Sequence, residues 1–139
     1  MGAPDSKISS RKKHYFFLNP YEDAAFTKCP KCDRKTMVRK FPLVIHIEPR
    51  QIFLLNKKCR YCAKCDLIIT RKSELESLMA TAFENNRPDI VGNDYLIIGT
   101  LEKHHWRQRE NLANDSEIIE LMHVFKNVLK FKPVPVWTM

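Results

Sequence analysis

Glycine is scarce in this chain, with three in 139 residues. That excludes a flexible or low-complexity polymer, and it leaves tight turns to be made by other residue types. Long apolar runs are also missing. None approaches the roughly 20 residues that a helix needs to cross a bilayer, so no membrane span is expected. The opening stretch MGAPDSKISSRKK is polar and basic, with no apolar segment behind it. The expectation is a cytoplasmic, non-secreted protein. No glycine loop suited to phosphate is present, and no Ser/His/Asp set can be assigned, so the common signatures of nucleotide hydrolysis and acyl transfer are absent.

What the chain does have is positive charge, unevenly placed. The formal net charge is +8; residues 1–72 hold 17 Lys and Arg against 6 Asp and Glu, whereas residues 73–139 hold 7 against 10. The basic half also holds all five cysteines. An odd number, grouped as two close pairs and one neighbour, does not read as a framework of disulfides; in a reducing compartment such spacing favours metal.

The cysteines lie in two near-copies of one pentad, CPKCD at 29–33 and CAKCD at 62–66. Two residues between cysteines let both sulfurs point inward from a single tight turn, and two such turns complete a tetrahedral shell. Cys29, Cys32, Cys62 and Cys65 are therefore the candidate ligands of a structural Zn2+. The stretch CRYCAKC also offers Cys59 in place of Cys65, although the pentad symmetry favours Cys65; a redox dithiol and a set of buried thiols are the other readings. Each second cysteine is followed by Asp, at the place where such turns commonly need positive φ, which Asp tolerates better than most residues. Lys31, Arg34, Lys57, Lys58, Arg60 and Lys64 would offset the charge of a metal bound by four thiolates.

On these cysteines the chain resembles zinc-ribbon proteins, in which two C-x2-C turns at the ends of β-hairpins share one zinc. The resemblance covers roughly residues 27–70. It extends to the zinc-binding half of certain bacterial antitoxins, but neither turn has the usual Gly, and the three closely spaced helices of an attached helix-turn-helix are not found. The ribbon implies a small antiparallel β unit with a closed metal site.

Hydrophobic periodicity supplies the remaining elements. Leu43–Ile47 and Ile52–Leu55 read as strands around a turn at Glu48-Pro49-Arg50-Gln51, and Leu67–Ile69 as another short strand. Ser73 and Glu76 form a capping box before Leu75, Leu78, Met79 and Ala82, which predicts a helix to about Asn85, ahead of Arg87-Pro88. Tyr95–Leu101 reads as a strand with Gly99 as a bulge. Asn114, Asp115 and Ser116 offer caps to a helix carrying Ile118, Leu121, Met122, Phe125, Val128 and Leu129. HYFFLNPYEDAAF at 14–26 shows no clear period. The fold class is α+β: a zinc ribbon joined to a mixed part with two helices and at least one further strand. Residues 1–13 form a basic arm and 14–139 a single domain, with the helix-strand-helix part at about 71–139.

Three functions compete. The first is nucleic-acid association through Arg11, Lys12, Lys13, Lys57, Lys58, Arg60 and Lys64, with Trp106 and Arg107 as an aromatic and cationic addition. The second is a protein-interaction or homodimeric module using the C-terminal helix and the PVPVW tail, with zinc only stabilising the fold. The third, a metalloenzyme, needs an open coordination position that four cysteines do not leave. His46 and Glu48 ahead of a C-x2-C invite comparison with zinc deaminases, but that arrangement leaves Cys29 and Cys32 without a role. His104 and His105 are candidates for a second metal site, and Gly2 with Ser6 fits a loose acylation pattern.

Overall fold

The computed structural model describes residues 12–112 and 114–133. Gly2, Ser6, Arg11 and, in the PVPVW tail, residues 134–137 lie outside them. The architecture is mixed α+β. Strands β1 (Tyr15–Asn19), β2 (Met37–Ile47), β3 (Gln51–Cys62), β4 (Leu67–Arg71), β5 (Tyr95–Thr100), β6 (His123–Val124) and β7 (Asn127–Leu129) form a sheet in the order β6-β5-β2-β3-β4-β1-β7. Three α-helices occur among the described residues: α1 (Lys72–Phe83), α2 (Lys103–Arg107) and α3 (Asp115–Leu121). None is long and apolar enough to cross a membrane.

The chain divides into two compact units. One takes Lys40–Lys57, Gly92–Lys126 and residues 12–13; the other takes His14–Arg39, Lys58–Val91 and residues 127–133. Strands β2 and β3 contribute to each.

In the first unit, β5 pairs antiparallel with β2 and with β6. Val44, Leu101 and Met122 form its buried centre, with Ile52, Leu54 and Ile98 packed around them. The register shifts between Val44 and Ile45: Val44 faces Gly99 while Ile45 faces Ile97, so Ile98 is the extra residue of a bulge. Gly99 is needed next to it because β6 passes close by. A Cβ there would lie 2.1 Å from the carbonyl oxygen of His123.

The long C-terminal helix expected over 118–129 does not form. Asn114 caps α3 as its sequence implies, its side chain accepting from the Glu117 amide at 3.0 Å, but the helix ends at Leu121 and Met122 turns extended. His123 and Val124 pair with β5, and Asn127–Leu129 pair with β1. Apolar spacing at 118, 121, 122, 125 and 128 fits a helix, but the run HVFKNVL is rich in β-branched and aromatic residues, and open sheet edges were available to it.

The second unit is built on β1, which runs parallel to β4 on one side and to β7 on the other. An interior parallel strand is covered on both faces and so shows no alternation, which explains why 14–26 carries no readable period. Phe16 and Phe17, adjacent and both buried, are the trace of this. Phe17 sits with Phe26, Leu67, Ile69, Cys29 and Cys62 in the core. The turn after β1 is closed by buried Asn19, whose side chain donates to Ala24 O and accepts from the Tyr21 amide.

Helix α1 matches its expected place, but not its expected cap or face. Ser73 Oγ donates to Glu22 Oε2 at 2.6 Å, Arg71 occupies the cap without a side-chain bond, and the buried face is Leu75, Met79 and Phe83. Leu78 and Ala82 are exposed.

The two described positions at which glycine carries a conformational burden separate sterics from backbone preference. Gly99→Ala should cost about 2–3 kcal/mol, an overpacking penalty against a strand. Gly92→Ala, at φ 83 with open space around it, should cost about 1 kcal/mol. Urea unfolding of both variants, compared at constant m, checks the order.

Candidate metal centre

Each pentad forms a tight turn. The first is closed by an antiparallel bridge between Lys28 and Lys35, with the Cys29 amide donating to Arg34 O at 2.7 Å and the Asp33 amide to Cys29 O at 2.8 Å. The second is the loop between β3 and β4, where Cys62 pairs with Leu67 and residues 63–66 make the reversal. Asp33 and Asp66 both have positive φ, at 69° and 54°, the conformation a glycine would usually supply. The chain makes these turns with Asp because a short polar side chain tolerates the left-handed region.

These turns bring Cys29, Cys32, Cys62 and Cys65 together, with one sulfur from each and all four within 4.8 Å of one another. Cys32 and Cys62 approach to 3.5 Å across the two turns. A zinc–sulfur bond of about 2.3 Å in a tetrahedron puts sulfurs about 3.8 Å apart, so the cluster has the dimensions of a four-thiolate shell. All five cysteines are free thiols. Among the described residues this is the one group of three or more Cys, His, Asp or Glu side chains so disposed. Four clustered cysteines can hold a metal ion.

Electrostatics divide the four. Cys29 and Cys62 are buried, while Cys32 and Cys65 are half-buried. Burial pushes the Cys29 thiol up, against backbone N–H groups of Cys32 and Lys31 that favour its thiolate. The Cys32 thiol is lowered to about 7, chiefly by the Arg34 amide. Burial and the neighbouring sulfurs push Cys65 up to about 12. Protons and a divalent cation compete for the same four sulfurs, so acid should empty the site.

Cys59 lies elsewhere. It is buried on β3 and accepts from Thr70 Oγ1 at 3.1 Å.

The residues behind the second turn escaped sequence reasoning. The Asp66 carboxylate receives the Tyr61 hydroxyl at 2.6 Å and lies 2.5 Å from His14 Nδ1, and the His14 amide reaches its other oxygen at 3.2 Å. Tyr61 is pushed up to about 12, by burial and then by Asp66, so it stays a phenol and donates. The repeated Asp was a signal for turn geometry, but nothing near His14 marked it as that residue's partner.

The other candidates scatter. Lys12, Lys13, Lys57, Trp106 and Arg107 belong to the first unit, Lys58, Arg60 and Lys64 to the second. Lys57 is buried, Arg60 half-buried, and Lys12, Lys58, Lys64 and Arg107 exposed. Lys13 pairs with Glu102 at 3.1 Å. Half-buried Trp106 stands in a short helix, and the Arg109 guanidinium already covers its ring at 3.9 Å. His104 and His105 have ring centres 4.0 Å apart, and His123 Nε2 meets Glu102 at 2.9 Å, but they do not converge as the cysteines do. His46 stands in β2 opposite Leu96, apart from the cluster.

Compared with models of protein families, with curated proteins and with solved structures, the chain matches none.

The thiol order can be read chemically. In chelator-treated protein, iodoacetamide should label half-buried Cys32 with a midpoint near pH 7, ahead of the equally half-buried Cys65. Peptide mass spectrometry across pH 6–10 checks it, and metal loading should protect all four cysteines while leaving the reactivity of Cys59 unchanged.

Proposed function

We propose that the protein is a zinc-binding, non-catalytic binding protein with one structural zinc of the zinc-ribbon type, and that the basic surface around this centre associates with nucleic acid. The observation that carries the metal reading is the convergence of four cysteine sulfurs, two from each of two matching pentads, within 4.8 Å. Soft thiolates select zinc or iron over the hard divalent ions, and a shell of four protein ligands leaves no open position for substrate. The ligands would be Cys29, Cys32, Cys62 and Cys65. Zinc bound there closes the two turns on one another and adds its binding free energy to folding.

The charge of the second unit supports the nucleic-acid reading. In and beside the two turns Lys28, Lys31, Arg34, Lys35, Arg39, Lys58 and Lys64 are exposed, against the exposed carboxylates of Asp33 and, ahead of the first turn, of Glu22 and Asp23. Four thiolates on one zinc leave a formal charge of −2, which uses only part of this positive charge. The remainder attracts phosphates and gains from release of their counterions. Lys31 is also held near the turns, its ammonium 5.1 Å from the centre of the Tyr15 ring.

Native mass spectrometry with elemental analysis should find one zinc per chain, retained in Cys59→Ser, lost in acid and lost in Cys32→Ser. Iron, or no metal, refutes the zinc reading. Fluorescence anisotropy with a single-stranded oligonucleotide should give steeply salt-dependent binding, and replacing Lys31 and Lys64 by Gln should flatten the slope of log K against log salt by about 0.7 per residue. Salt-independent binding, or none, sinks the nucleic-acid reading and leaves the zinc result standing.

A further inference from the structure

The two pentads match in sequence and in backbone, yet their aspartates do different work. Asp33 and Asp66 both hold the left-handed conformation that ends their turns. Asp33 is exposed. The Asp66 carboxylate instead sits between two elements: Tyr61 on β3 donates to Oδ1, and His14, immediately before β1, contacts Oδ1 through its ring and Oδ2 through its amide. The Asp66 carbonyl accepts from the Tyr15 amide at 2.7 Å as well. One residue thus receives four contacts, three of them from the start of β1.

His14 is held tightly in return. It is buried, its φ is 71°, and its ring meets the Tyr61 ring edge-on at 5.9 Å. A bulky residue keeps such a backbone only where its surroundings fix it, and here the fixing partner is Asp66. The chain order is tight as well: Tyr61 adjoins the ligand Cys62, and Asp66 adjoins the ligand Cys65.

We propose that Asp66 is a positioning residue that couples metal occupancy of the four-cysteine centre to the docking of β1, whereas Asp33 serves its turn through backbone conformation alone. The inference rests on the metal reading above. With metal bound, Cys65 is pinned, the turn is closed, and the Asp66 carboxylate stands where His14 and Tyr61 need it. With metal gone, Cys65 is released from its shell, and β1 loses the firm anchor at its first residue. By linkage the effect runs equally in reverse, so loss of the anchor weakens metal binding.

Glycine at each position separates the two roles, because it adopts positive φ freely and lacks the carboxylate. Zinc affinity is measured by competition with a chromophoric chelator on the full chain, and amide hydrogen exchange is followed in residues 15–19 and 43–47. Asp33→Gly should bind zinc within about threefold of the unaltered chain. Asp66→Gly should bind about 10–100-fold more weakly, the range seen when a group supporting a metal ligand is lost. Stripping zinc from the unaltered chain should speed exchange in 15–19 at least tenfold more than in 43–47. Tyr61→Phe removes one donor and no turn geometry, and should give a smaller loss, about threefold to tenfold, should Asp66→Gly fail to fold. If Asp66→Gly matches Asp33→Gly, or if Tyr61→Phe leaves affinity unchanged, the coupling is refuted while the metal centre stands. Uniform exchange across both segments on zinc removal refutes it too. An unaltered chain that binds no zinc overturns the metal reading itself.

Discussion

Four sulfurs held within 4.8 Å are the constraint around which the second unit is arranged. Thiolates so close repel one another, and four thiols so close waste their affinity for metal; a cation among them resolves the conflict. The placement also has consequences for packing. Cys29 and Cys62 are core residues, in the same cluster as Phe17, Phe26, Leu67 and Ile69. The centre therefore closes one side of the apolar core.

The exposed lysines and arginines around the turns follow from the same constraint. A metal held by four thiolates would carry excess negative charge, which cations nearby would offset. Lys57 and Lys58 show why a count of charges is a poor map of such a surface. They are neighbours in sequence, and strand alternation buries one and exposes the other.

The sequence made the cysteine cluster legible because the spacing within each pentad is a local property. Two residues between cysteines and an Asp after each pair describe a turn without reference to anything distant, and both Asp residues have the positive φ that their position implied. Parts of β2 to β5 were legible for a similar reason, as runs of β-forming residues, although β2 and β3 extend well beyond the expected Leu43–Ile47 and Ile52–Leu55. β1 and the 123–129 segment were not. Phe16 and Phe17 are buried on adjacent positions because β4 and β7 flank that strand, and His123 to Leu129 become two short strands because β5 and β1 offer edges. Those facts belong to partners far along the chain. The His14–Asp66 contact is of this kind too, spanning 52 positions, and no local pattern encodes it.

The parallel pairing of β1 has a temporal consequence. Tyr15 pairs with Leu67 on one side and with Asn127 on the other. During synthesis the strand emerges before either partner, with an apolar Phe-Phe core and two unpaired edges. Its first partner follows the second cysteine pair, and its second comes 60 residues after the first (Leu67 to Asn127). The nascent chain therefore carries an aggregation-prone segment until both partners have followed, and such non-local closure is the slow kind.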